Sequence, residues 1–170
     1  LMAAIQAGAD AVYFGIEQLN MRAKSSNNFT INDLEKISGI CHEHRVKSYI
    51  TLNTIIYDHD ITLMRAIIDN AKENNITAII SSDHAVMDYA RQAGMETHIS
   101  TQANITNTES VAFYSGYADV MVLTRELSLS QVADIVKNIK RKKIKGPSGN
   151  LVRIEVFAHG ALCMADRKST

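Results

Sequence analysis

Two hydrophobic rhythms alternate along the chain. Short, β-rich apolar runs recur at Ala11–Gly15, Lys47–Asn53, Ala78–Ile80, Thr97–Ser100, Asp119–Leu123 and Val152–Ala158. Between them, apolar residues return every three or four positions, the period of a helix that buries one face. Leu34, Ile37 and Cys41 form one such stripe. Leu63, Met64, Ile67, Ile68 and Ala71 form a second, and Val132, Ile135, Val136 and Ile139 a third. Leu1–Gly8 reads as a helix stopped by its glycine. Polar residues punctuate the pattern. Thr30 with Asp33, Thr106 with Glu109 and Ser128 with Gln131 are spaced as helix-start boxes, and Asp60 and Asp83 precede apolar stripes as caps. Gly94 and Gly116 stand where helices should end. Residues 146–150 form the clearest loop.

Six strands with a helix between each pair are therefore predicted, with strand starts roughly 20 to 36 residues apart, the pitch of βαβ units. Right-handed crossovers then impose a mostly parallel sheet. An open doubly wound sheet and a (β/α) barrel both satisfy this pattern. The residues after the strands favour the barrel. Asn20 and Arg22, Asn53 and Thr54, Ser82 and Asp83, Thr101, Gln102 and Asn104, Arg125 and Glu126, and His159 and Cys163 are polar groups able to do chemistry. A barrel gathers such strand ends at one mouth, whereas an open sheet spreads them along an edge. No G-x-G-x-x-G follows the first strand. The expected fold class is α/β, a partial TIM-like (β/α) barrel of about six parallel strands in one domain over 1–170.

Composition narrows the function. The chain has 170 residues, 46% of them hydrophobic, which suits a folded domain rather than a disordered one. Eighteen basic residues balance eighteen acidic ones, so no global field announces a nucleic-acid or membrane partner. Two cysteines, Cys41 and Cys163, are too few for a secreted disulfide framework and suggest a reducing, cytoplasmic setting. No apolar run approaches the roughly 20 residues needed to cross a bilayer.

The most informative segment is Glu155-Val156-Phe157-Ala158-His159-Gly160-Ala161-Leu162-Cys163-Met164, a strand that leads into a histidine, a turn and a thiol. By residue type, Cys163 is either a buried structural cysteine or a thiolate that serves as nucleophile or metal ligand. Cys41 lies on a helical stripe and reads as core. Cys41, His42 and His44 share a helix but point apart, and the histidines are expected to meet the helix C-terminus. His59 and His84 should be solvated, and His98 reads as a satisfied core histidine. The basic run Lys137, Lys140, Arg141, Lys142, Lys143 and Lys145 reads as a solvated helix end rather than a phosphate-binding patch.

The segment EVFAHGALCM resembles the hallmark of the collagenase-like protease family, the U-32 peptidases. Five further stretches resemble that family in the same order. They are GADAVYFG at 8–15, the Arg-Ala turn at Asn20–Ala23, TLNT at 51–54, STQAN at 100–104 and RELS at 125–128. The resemblance implies a TIM-like barrel with one further strand before this stretch and further cysteines after it. Residues 1–170 would then be a fragment holding strands two to seven of eight. Open sheet edges would result, to be covered by a second copy of the chain or by different closure.

Better-understood members of the family are oxygen-independent hydroxylases of transfer RNA, ribosomal RNA or the ubiquinone ring. They use a four-iron four-sulfur cluster and a prephenate-like carboxylate co-substrate. The resemblance makes Cys163 one of about four cluster ligands, the others absent from this stretch, so the stretch alone should be inactive and hold no cluster. The function expected of the parent is hydroxylation of a pyrimidine in RNA. Candidate site residues are His159, Arg22, Asn53, Gln102, Arg125 and Glu126, with Arg22 and Arg125 suited to a carboxylate. The alternatives are a collagenase-like peptidase acting on peptide substrates and a fragment without catalysis.

Overall fold

The computed structural model describes residues 1–17, 19–20 and 29–160. Arg22 and Cys163 lie outside the described residues. A short helix, α1 (Met2–Gln6), leads into β1 (Ala11–Gly15), and Gly8 makes the turn in the left-handed region at φ 84°. There follow α2 (Leu34–Glu43), β2 (Lys47–Leu52), α3 (Ile61–Glu73), β3 (Ala78–Ser81), α4 (His84–Ala93) and β4 (Glu96–Ile99). The described elements end with α5 (Thr108–Tyr114), β5 (Val120–Val122), α6 (Leu129–Lys142) and β6 (Arg153–Glu155).

All six strands are parallel and lie side by side in chain order, β1-β2-β3-β4-β5-β6. A doubly wound sheet reverses its strand order and carries helices on both faces. Here the order never reverses, so crossovers of one hand place every helix on the same side. The result is half of a (β/α) barrel, helices outside and a concave face within.

Strand alternation separates the two faces. Ile50, Leu52 and Ile79 pack with Leu34, Ile37, Ile67, Ile68 and Val86 from the helices, and Ile99 and Met121 pack with Val111, Ile135 and Ile139. The intervening residues form rows across the concave face. One row is Tyr13, Tyr49, Ala78 and Glu96; the next is Gly15, Thr51, Ile80, His98, Val120 and Arg153. Cys41 is buried in the helix-side core, and burial pushes its thiol pKa up.

Local signals were realised unevenly. Thr30 and Asp33 close their box, with the Thr30 N–H donating to Asp33 Oδ2 at 2.8 Å. The Ser128–Gln131 box also forms, and the Ser128 N–H donates to Gln131 Oε1 at 2.8 Å. Asp83 caps α4 by accepting from the Ala85 N–H at 2.8 Å. Gly94 ends α4 at φ 72°.

Three expectations are corrected. Asp60 does not cap forward; its carboxylate reaches back to the Tyr57 N–H at 3.1 Å, because a 3-10 turn at Asp58–Asp60 already starts the spiral. The α5 cap is Asn107 rather than Thr106. Asn107 Oδ1 accepts from the Ser110 N–H at 2.9 Å, and asparagine is the stronger N-cap. The last strand is shorter than 152–158. Its pairing ends when the Leu123 N–H donates to Glu155 O at 3.0 Å, and Thr124 then turns away to bond Ile105 O at 3.2 Å. Nothing in β5 remains for Val156 and Phe157 to pair with.

The outer edges of β1 and β6 have no strand beside them among the described residues. Past the end of β1, the Glu17 N–H donates to Phe29 O at 2.8 Å. No described helix is long and apolar enough to cross a membrane.

Candidate functional site at the strand ends

Parallel strands deliver their C-terminal ends to one rim. At the end of β1, Asn20 is buried to 4% exposure, and its side-chain amide donates to Ile16 O at 3.5 Å and Glu17 O at 3.3 Å. It lies directly over Gly15. A Cβ at position 15 would stand 2.5 Å from Asn20 Nδ2 and 2.6 Å from Oδ1, closer than real contacts allow. Any Cβ there would have to displace the buried Asn20 amide, so space favours glycine.

At the next strand ends, Asn53 Nδ2 donates to Gln102 Oε1 at 3.4 Å, although 49 residues separate them. Ser100 Oγ donates to the same oxygen. The Gln102 carbonyl is thus held by two donors from the β2 and β4 ends, which fixes the orientation of its amide. The tight turn behind it ends at Asn104, in the left-handed region at φ 52°. Over β5 and β6, the Arg125 guanidinium lies 5.5 Å from the centre of the Phe157 ring. This cation–π contact leaves Arg125 and Glu126 exposed, as is His159. Asp83, by contrast, is committed to structure. Besides capping α4 it accepts from the Ile56 N–H at 3.3 Å, which ties the β2–α3 loop to the start of α4.

The candidate residues therefore fall into two groups. Asn53 joins Gln102 over β2 to β4, and Arg125 joins Phe157 over β5 and β6. Glu126 and His159 stand on the same rim, in no such cluster among the described residues. Arg22 and Cys163 lie outside the described residues. His42, His44, His59 and His84 are exposed. The basic run lies at the end of α6, which runs back from the rim to the opposite end of the barrel, and Lys142 pairs with Glu109 there at 2.5 Å.

Below the rim, the concave face carries a charged cluster that the sequence reading passed over. His98 is 1% exposed, with Nε2 3.2 Å from Glu96 Oε1 and Nδ1 3.5 Å from Glu155 Oε1. Arg153 pairs with Glu96, and the Tyr49 ring packs on the imidazole with centroids 4.7 Å apart. The histidine is buried as expected but not fully satisfied, because Nδ1 makes no hydrogen bond. Burial holds the His98 pKa below its ordinary value despite the two carboxylates. Burial also raises the Tyr49 hydroxyl, helped by Glu155 and Glu96. A period-two signal was available. Glu96 and His98, and Arg153 and Glu155, are each two apart on a strand and so share a face.

Comparison with known proteins places this geometry. The model of peptidase family U32 matches residues 1–169. The chain belongs to that family. The U32 chain is 62% identical over 165 residues to a protein named collagenase from Porphyromonas gingivalis (strain ATCC BAA-308 / W83), covering 97% of this chain and 40% of that one. It is 32% identical over 164 residues to the 23S rRNA 5-hydroxycytidine C2501 synthase of Escherichia coli (strain K12), covering 95% and 23% of the two chains. Among solved structures, it superposes on the U32 peptidase Mk0906 with a TM-score of 0.62 at 13% identity, covering 76% of this chain and 57% of that one. That likeness is one of fold. The U32 chain thus spans about two fifths of the collagenase and about a quarter of the synthase.

The family resemblance implies an iron–sulfur cluster, and the residues of this stretch do not by themselves make its ligand set. No group of three or more His, Cys, Asp or Glu side chains able to hold a metal occurs among the described residues. Cys41 is in the core with its thiol kept protonated by burial. Of the two cysteines, only Cys163 is left to offer a thiolate, and a cluster needs about four.

Proposed function

We propose that the protein containing this chain is an RNA-modifying enzyme of the cytoplasm, one that hydroxylates a pyrimidine in transfer or ribosomal RNA without molecular oxygen. The observation that carries this reading is the chemistry of the rim. A Gln102 carbonyl held by Asn53 and Ser100 leaves the amide NH2 to donate to an acceptor on the edge of a flat heterocycle. The Arg125 guanidinium, braced on Phe157, suits the carboxylate of a small co-substrate. Likeness to an rRNA hydroxycytidine synthase over 95% of the chain supports the same class. Among the described residues no serine or cysteine is hydrogen-bonded to a histidine, so no nucleophile–base pair supports acyl transfer there.

Cys163 is proposed as one ligand of a four-iron four-sulfur cluster whose other ligands lie outside this stretch. Arg22, Arg125, Asn53 and Gln102 are proposed to bind substrate and co-substrate. For residues 1–170 taken alone, the edges of β1 and β6 are proposed to be covered by a second copy, which sedimentation velocity of that stretch tests by showing twice its mass.

Mass spectrometry of RNA from a deletion strain is the decisive experiment. Loss of one hydroxylated pyrimidine, restored by the wild-type gene and not by Arg125→Ala, is expected. Unchanged RNA refutes the reading. A second reading, a peptidase, is favoured by the 62% identity to a protein named collagenase. Gelatin cleavage by the purified protein, abolished by His159→Ala or Cys163→Ser, would establish it instead.

A further inference from the structure

The concave face beneath the rim holds a histidine with a carboxylate at each nitrogen. Glu96 and His98 come from β4, and Glu155 from β6. Arg153 pairs with Glu96 from β6, and Tyr49 packs on the imidazole from β2. The other residues of the His98 row, Ile80 on β3 and Val120 on β5, cannot titrate. Among the described residues, Glu155, Glu96 and Arg153 are the charged groups that act on the imidazole.

A neutral imidazole has one N–H to offer, yet both nitrogens here face carboxylate oxygens. The shorter contact assigns the proton to Nε2, which donates to Glu96 at 3.2 Å. Nδ1 is then left with a bare lone pair, without a hydrogen-bond partner, 3.5 Å from Glu155 Oε1. Two acceptors facing each other at the edge of a buried site define a place for one further proton. The Glu155 side chain is 44% exposed and so joins that place to the open side of the barrel.

We propose that Glu155 and His98 form a proton-accepting site beneath the rim, in which Glu155 takes a proton from a bound hydroxyl or water and His98 Nδ1 receives it. The donor O–H bond breaks and its electron pair stays on the donor oxygen. A new N–H bond forms with the Nδ1 lone pair. The resulting imidazolium lies between Glu96 and Glu155, so both of its N–H groups have acceptors. Return of the proton through Glu155 restores the neutral ring. Arg153 offsets the Glu96 charge, and Tyr49 keeps water from that side of the imidazole. Burial keeps Nδ1 unprotonated near neutral pH, which is the state an acceptor needs. Glu155 is the group that meets a ligand, and His98 is a positioning and storage residue behind it. The site stands on the geometry of β4 and β6 and is independent of which reaction the rim performs.

The test is imidazole 15N NMR of the protein across pH, in wild type, Glu155→Gln and Glu96→Gln. One ring is expected as the Nε2–H form at neutral pH, with a midpoint below the ordinary histidine value. Glu155→Gln should lower its proton affinity roughly tenfold, a midpoint about one pH unit lower, because an adjacent negative charge is gone. Glu155 is the exposed end of the cluster, so this variant keeps its fold, which the amide spectrum verifies even where Glu96→Gln does not fold. An Nδ1–H form at neutral pH, a midpoint unmoved by Glu155→Gln, or no protonation before acid unfolding overturns the proposal.

Discussion

Gly15 and Asn20 offer a test in which two opposing effects differ in sign. Replacing a strand glycine by alanine ordinarily stabilises a protein by about 0.4–1 kcal/mol, through the smaller freedom of the unfolded chain. Gly15 has no positive φ, so nothing in its backbone opposes the change. Space does. The new methyl carbon would sit 2.5 Å and 2.6 Å from the Asn20 amide, which is buried and bonded to Ile16 O and Glu17 O. Forcing a methyl into a filled site costs about 1–3 kcal/mol, so Gly15→Ala should be destabilising by about 1–2 kcal/mol net. Asn20→Ala should cost about 1–2 kcal/mol through loss of hydrogen bonds that include those to Ile16 O and Glu17 O. It also empties the space that the alanine methyl needs. In the Asn20→Ala background, Gly15→Ala should therefore change sign and stabilise by about 0.5 kcal/mol. Urea unfolding of the four proteins measures this cycle. A Gly15→Ala variant as stable as wild type, or two changes that simply add, would refute the packing argument.

Ile68, fully buried between α3 and the sheet, should lose about 2–5 kcal/mol when cut to alanine, read by the same urea midpoints. Asp83→Ala removes the α4 cap and the bond to the Ile56 N–H, and should cost about 1 kcal/mol; Asp83→Asn should restore most of it. Cys41, buried and held protonated, should stay unlabelled by iodoacetamide at pH 8 in native protein and react fully in urea, as site-resolved mass spectrometry would show. Stability should also fall as pH drops below the ordinary histidine value. The pKa of His98 is lower folded than unfolded, so the unfolded chain binds the extra proton first, and His98→Gln should flatten that acid limb in pH-dependent melting.

Much of this molecule is written locally. The stripe Met64, Ile67, Ile68 and Ala71 gives α3 one apolar face and one destination. Thr30 with Asp33, and Ser128 with Gln131, state where their helices begin, because a side-chain oxygen three residues from an N–H can close only that turn. The six apolar runs, each followed by polar residues, state that parallel strands end on the same side of a sheet. Where local signals competed, the sequence could not decide. Thr106 and Asn107 stand side by side, and Asn107, the stronger cap, takes the Ser110 N–H. Val152–Ala158 is apolar enough for a longer strand, yet its length was set by where β5 turns away.

Only the tertiary structure decided which strand lies next to which, and so whether the βα pattern makes an open sheet or a half-barrel. Periodicity fixes the face a residue occupies within its own element; it carries no record of neighbours. The same limit hid the charged cluster. Glu96 and His98 share a face of β4, and Arg153 and Glu155 a face of β6, but 57 residues separate Glu96 from Arg153. It takes the sheet, which turns all four toward its concave face, to make a buried histidine between two carboxylates out of them.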